Sequence, residues 1–409
     1  MTKSQVIEQK PPGAGLDERI RAVGGALHAS LSAALDALED RPQGPQALAT
    51  RLKVDKVLAS RLLKALRSPD PMLVVHRAPG PDPLRRVLKA LSGQGVTGET
   101  LDAARDAVDR FASLIRDDLG DRGGLNSIVA AWVPEARRDL EQRQKQAAFK
   151  AISQLKGIEA RAIMATAVLH PSDDGARLDV VWLNALFGLR RLRPGARAKL
   201  VTRRMAQGDS RRPTTLDGEP INGFVDTLLA GFGTSKEHEF VVEQSGDVVH
   251  YTLADTGYGP GSERDVVLAE VNRAEMSRTV PEGSGRKGFL FAEASLPVES
   301  LQFDVIVHRD VYEGSDPSLR LYDTSFDGVA DVNNRERDID QLELLETIES
   351  FGTGVERLGS SVIPGYAHLL GDAFARLGWD RANFRAYRCE IDYPLYGSQV
   401  AMCFDPPRR

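Results

Sequence analysis

The stretch ALATRLKVDKVLASRLLKALR, residues 47–67, sets six basic side chains against one acidic one within a strongly periodic apolar pattern. The chain as a whole has 409 residues and a formal net charge of -5. Between residues 41 and 90 stand 11 lysines and arginines and 3 aspartates, a local excess of +8 that leaves -13 for the remainder. A basic module joined to an acidic body points to a polyanionic partner for the module and not for the body. A merely solvated charged surface is the competing reading of the charge by itself.

The spacing within the stretch predicts two short helices, over 45–53 and 56–67, separated by Lys53-Val54-Asp55. Pro45 suits a first helical position, where its missing N–H costs nothing. Two crossing helices need a small residue at the crossing and an apolar plug in the turn, and Ala49 and Val54 supply them. Asp55 is placed to cap the second helix, its carboxylate accepting from free N–H groups of the first turn. Ala59, Leu62, Leu63 and Leu66 then form a buried stripe. Lys56, Ser60, Arg61, Lys64 and Arg67 are left on the open face, and a polar, cationic helix face is what the major groove admits. Arg61 is the first choice for base reading, because its fork bonds guanine bidentately. Lys56, Lys64 and Arg67 are assigned to phosphates.

On these residues the segment 45–90 resembles the winged helix-turn-helix of bacterial transcription regulators, most nearly the IclR type. The run LATRLKVDKVLASRLLKAL is similar to that family's Ala in the second helix, short turn, RLL and final Leu. The resemblance covers roughly a tenth of the chain. It implies that 56–67 is the recognition helix and that 72–84 is the wing, with Arg77, Arg85 and Arg86 near the DNA backbone. Two departures stand out. Lys53 occupies a place where glycine is usual, and Val57 and Leu58 occupy places where polar DNA contacts are frequent. Apolar groups there either meet a thymine methyl or pack on protein.

Around this segment, residues 16–40 have three-and-four apolar spacing, an amphipathic helix that Gly24-Gly25 is expected to interrupt in its first turns. PMLVVHR reads as a strand and 84–91 as helical. SGQGVTGE, residues 92–99, is the expected linker. Helices follow over about 101–115 and 134–156, the second polar over most of its surface and suited to a connector or a dimer contact. From residue 159 the texture changes to strands: a hairpin over 159–189, another around Ser245-Gly246-Asp247, then RDVVLAEVN, GFLFAEA and LQFDVIVHRDVY. Helical spacing returns over 339–351 and 366–377, and two strands joined at residues 394–397 end the chain.

The expected fold class is α+β: an N-terminal winged helix-turn-helix, a helical connector, and a C-terminal, largely antiparallel sheet with helices. The expected division is a disordered leader over 1–15, the winged domain over 16–91, the connector or dimerisation helices over 100–157, and a regulatory or sensor body over 158–409. No run of 18 apolar residues exists, which excludes a membrane-spanning helix. The first residues lack the apolar core of a secretory signal. Two cysteines, Cys389 and Cys403, are too few for a disulfide framework and read as buried core thiols in a reducing cytoplasm.

Several motifs fail on inspection. VHRDVYEGS has the His308-Arg309-Asp310 of a kinase catalytic loop, but Ser315 stands where asparagine is required, so it reads as a strand end. PEGSGRKGF and DTGYGPGSE lack phosphate-loop spacing, although Arg286 and Lys287 retain a weak case for anion binding. Ser235, Lys236 and His238 read as a solvated loop. Tyr387, Tyr393 and Tyr396 read as packing on the sheet. Seven scattered histidines give no metal pattern. No catalytic residue, metal or cofactor is assigned. The expectation is a non-enzymatic, homodimeric, cytoplasmic transcriptional regulator that binds double-stranded DNA. Its body dimerises or senses a small-molecule or protein effector. The alternative is a scaffold whose winged helix binds a protein partner.

Overall fold

The computed structural model describes residues 15–39, 42–204, 213–234, 240–245, 248–254, 257–356 and 358–409. The expected leader 1–15 and the loop residues Ser235, Lys236 and His238 fall, but for Gly15, outside that set. The chain is α+β and divides into two units, Met1–Glu141 and Gln142–Arg409.

Helices make up the first unit as described: α1 (Leu16–Asp36), α2 (Pro45–Leu52), α3 (Lys56–Leu66), α4 (Pro71–Arg77), α5 (Pro81–Gly93), α6 (Glu99–Ser113), α7 (Arg122–Trp132) and the start of α8 (Pro134–Lys156). One apolar core joins them, with Leu27, Leu31 and Leu35 of α1 packed among Leu62, Val74, Leu88, Val108 and Phe111. Gly24 does not break α1. A Cβ built on it would lie 2.1 Å from the Pro71 carbonyl oxygen, so glycine is what lets α4 approach this closely.

Two expectations fail here. PMLVVHR is a helix, not the first strand of a wing, and the segment 72–84 is α4 followed by the first turn of α5. The physical reason lies just before it. Asp70 Oδ1 accepts from the Met72 N–H at 2.9 Å and Pro71 takes the first helical turn, so a cap and a preset φ outweigh the β preference of Val74 and Val75. Nor do residues 92–99 form an interdomain linker; Val96 is buried and α6 joins the same core as α5.

The second unit is built on a six-stranded sheet of β1 (Ile158–Pro171), β2 (Arg177–Arg191), β6 (Arg264–Ser277), β8 (Val298–His308), β10 (Glu349–Thr353) and β11 (Phe384–Asp392). Their order across the sheet is β10-β11-β8-β1-β2-β6. All neighbours pair antiparallel except β1 with β8. The β1–β2 hairpin forms where Asp174 Oδ1 accepts from the N–H groups of Ala176 and Arg177, with Gly175 at φ 65°. The edge strand β10 is exposed along its length, and its register slips between Ser350 and Gly352.

Alternation gives this sheet two buried faces. Ile163, Ala165, Phe303, Val305 and Cys389 lie on one. Against it packs a second sheet, formed by β7 (Gly288–Glu293), β9 (Ser318–Asp323) and β12 (Ser398–Phe404) in the order β7-β12-β9. The opposite face, with Met164, Ile306 and Phe384, is covered by α9 (Tyr366–Leu377). A third sheet joins β3 (Ala198–Arg204), β4 (Phe240–Ser245) and β5 (Val248–Leu253). The turn expected at Ser245-Gly246-Asp247 has its last two residues outside the described set.

The two C-terminal strands exist as expected but enter different sheets, β11 pairing with β8 and β12 with β7 and β9. The helix expected over 339–351 is absent. Residues 342–348 have no regular secondary structure, and burial alternates along 341–348, with Leu342, Leu344 and Ile348 packed on the sheet core while Ile339 stays 89% exposed. The apolar period here is two, not 3.6.

Under α9 lies a buried polar cluster. Arg388 grips Asp304 with two bonds, Nε to Oδ1 at 2.8 Å and Nη2 to Oδ2 at 2.7 Å. The Tyr366 hydroxyl also donates to Asp304, and the Gln302 amide does so at 3.1 Å. Burial, with the Asp304 charge beside it, pushes the Tyr366 hydroxyl well above its ordinary range and keeps it a donor.

Candidate nucleic-acid interface

Helices α2 and α3 meet at a tight turn whose geometry the sequence dictates. Lys53 caps α2 in the left-handed region, φ 53° and ψ 43°, a conformation that costs an L-residue about 1–2 kcal/mol relative to glycine. The Val54 N–H reaches back to the Ala49 carbonyl at 3.0 Å. Asp55 Oδ1 then accepts from Val57 and Leu58 at 2.7 and 3.3 Å, satisfying two free donors of α3. At the other end of α3, His28 Nε2 donates to the Leu66 carbonyl at 2.9 Å. The inward stripe is Ala59, Leu62, Leu63 and Leu66, all buried, together with Ala65.

Lys56, Ser60, Arg61, Lys64 and Arg67 are all exposed. Lys56, Arg61 and Lys64 form no ion pair among the described residues, and Arg67 spends one arm on the Gln43 carbonyl at 2.9 Å. The three arginines placed beyond α3 divide differently. Arg77 sits half-buried, bonded to Ser68 Oγ at 2.6 Å and paired with Glu135. Arg85 is held by Asp82 at 2.8 Å and Asp109 at 2.9 Å, and these carboxylates raise its pKa, the Asp109 hydrogen bond most. Both therefore have their charge answered inside the unit. Arg86 alone of the three is exposed and without such a partner among the described residues.

Arg86 and Arg61 both line a cleft of about 720 Å³ between the α2–α3 turn and α5. Lys53 and Lys89 add two more cations to its walls, while Val57, Leu58 and Pro83 supply apolar surface. Val57 is 66% exposed. Sequence reading gave no contact role to Lys53, noted only for its place in the turn, or to Lys89. The signal for Lys89 was present, since it follows Arg86 by three residues and so shares its helix face. The arrangement offers a short cationic ridge beside an apolar notch, able to bond phosphate oxygens and touch a base methyl or an apolar side chain.

Among the described residues no helix is long and apolar enough to cross a membrane, and no group of three or more potential metal-binding side chains gathers. The chain matches no family model, no curated protein and no solved structure.

Proposed function

We propose that this protein is a DNA-binding transcriptional regulator in which α3 enters the major groove and the second unit dimerises or senses an effector. One observation carries the reading: Lys56, Arg61 and Lys64 stand exposed on one rigidly capped helix with no carboxylate partner among the described residues, whereas Arg77 and Arg85 have theirs. Unanswered cations on the solvent side of a helix attract phosphates by releasing counterions. Arg61 is the base-reading candidate and Lys56, Lys64 and Arg67 are phosphate contacts. Arg86, Lys53 and Lys89 extend the cationic surface in place of a wing. A two-fold pair of protomers would double the contact set.

The test is fluorescence anisotropy of labelled genomic duplexes at low salt. Binding should weaken with salt, and each phosphate contact removed, as in Lys64→Ala, should lower the slope of log K against log salt by about 0.9. Arg61→Ala should cost about 1–3 kcal/mol and relax sequence preference. Binding indifferent to both substitutions refutes the reading. The exposure of Val57 beside Leu58 favours a second one, a protein partner seated on the same notch. Capture of a partner that depends on Val57 and Leu58, with no DNA affinity at low salt, would select it.

A further inference from the structure

The second unit holds a cavity that the DNA reading leaves unused. Its volume is about 570 Å³, within the range of small-molecule sites. It opens on the outer face of the β7-β12-β9 sheet, the face of β9 that carries Arg320 and Tyr322, away from the side where Leu319 and Leu321 meet the main core. Four cations line it, Arg286, Lys287, Arg320 and Arg335, against one lining carboxylate, Asp338. Lys287 Nζ is shared with Asp405 at 2.5 Å, and Arg320 gives one arm to the Val332 carbonyl at 3.1 Å. Arg286 and Arg335 are exposed and have no ion-pair partner among the described residues.

The walls are fixed before any ligand arrives. Asn333 closes the glycine-rich loop onto the opposite wall, its Oδ1 accepting from the Lys287 N–H at 2.7 Å and its Nδ2 donating to the Lys287 carbonyl at 3.1 Å. Behind it, Arg337 pairs with Asp340 at 2.6 Å and donates to the Asp327, Gly328 and Val329 carbonyls. The fully buried Gln399 bonds both the N–H and the carbonyl of Ala330. A concave, polar, preorganised site with an excess of positive charge and two unoccupied guanidinium forks matches phosphate oxygens better than apolar or cationic ligands.

We propose that this cavity is a binding site for a small phosphorylated molecule of about nucleotide size, its phosphates held by Arg286 and Arg335, with the charge of Arg320 behind them. Such a site would receive the effector of the proposed sensor body, but its existence does not depend on DNA binding.

Isothermal titration of the full chain with pyrophosphate and, separately, with ADP tests it. Both should bind with dissociation constants below about 1 mM, ADP more tightly if the cavity also seats the nucleoside. The double variant Arg286→Ser/Arg335→Ser, with unchanged circular dichroism, should weaken both by about tenfold or more. Arg61→Ala/Lys64→Ala and Arg309→Ser, outside the cavity, should leave binding unchanged. Absence of binding by both probes, or equal weakening by the outside variants, overturns the proposal. Loss of pyrophosphate binding confined to Arg61→Ala/Lys64→Ala overturns it too, and would place the anion on α3 instead.

Discussion

Removing Arg388 tests a buried, bidentate ion pair of the second unit. The Asp304 carboxylate is 1% exposed and the Arg388 side chain 8%, and two parallel bonds join them. Arg388→Met keeps the apolar stem but takes away the cation, leaving Asp304 with the Tyr366 hydroxyl and the Gln302 amide as donors. Stranding a buried carboxylate in this way costs about 3–5 kcal/mol. Deleting both charges, Arg388→Met with Asp304→Leu, avoids that cost; Tyr366 keeps Thr166 Oγ1 as an acceptor at 3.1 Å, and the Gln302 amide left short of one costs about 1–3 kcal/mol. The double variant is therefore expected to be more stable than the single one. Urea unfolding of the full chain in a Trp132→Phe background reads the second unit through Trp182 and Trp379. With a slope of about 2–3 kcal/mol per molar, Arg388→Met should lower the midpoint by about 1–2 M. A negligible shift, or a double variant as unstable as the sum of the two single ones, would refute the reasoning, since additivity means the pair is uncoupled.

Lys53→Gly should stabilise the first unit by about 1 kcal/mol by relieving the left-handed turn, and thermal melting should show it, whereas a loss would mean that the Lys53 side chain contributes packing. Burial, and next the charge of His170, push the His308 pKa below its ordinary value. The unfolded chain therefore takes up a proton that the folded one resists. This contribution to stability is complete above about pH 6.5 and is lost as pH falls through the lower folded value. Melting temperatures of His308→Gln should fall less steeply with acidification than those of the wild type, and parallel curves would exclude His308 as a cause. Burial pushes the Cys389 thiol up to about 12 and the Cys403 thiol up to about 11. Iodoacetamide should label neither in the native protein at pH 8 and both in denaturant, as mass spectrometry would show; native labelling would mean that the sheets open readily.

Legibility in the sequence followed the range of the interactions. The α2–α3 turn was readable because its cap, plug and stripe lie within about 20 residues of one another, and the β1–β2 hairpin because Asp174 and Gly175 are themselves the turn. The wing failed where two local signals competed, β-branched Val74 and Val75 against the Asp70-Pro71 helix start, and the start prevailed. Over 341–348 leucines and glutamates of high helix preference form no helix, and Leu342, Leu344 and Ile348 bury on the sheet instead. What sequence could not supply is partnership across distance. Glu135 claims Arg77 from 58 residues away, and Asp109 claims Arg85 from 24. The ion pair of Asp304 and Arg388 spans 84 residues, and the phosphate cavity brings the 284–287 loop against Asn333 and Arg335.

One of the two outer strands of the large sheet, β10, has a bearing on how the protein behaves at high concentration. A bare, regular edge invites the same edge of another molecule to dock and propagate. Here the ladder is interrupted at Ser350/Gly352, Gly352 sits at φ 68°, and Phe351 lies against the guanidinium of Arg388 at 5.1 Å. A kinked rim whose aromatic ring already faces its own chain is a poor template for polymer growth. Solubility on that side is thus guarded by backbone shape, and straightening it, more than adding charge elsewhere, is what would turn the sheet into a seed for fibres.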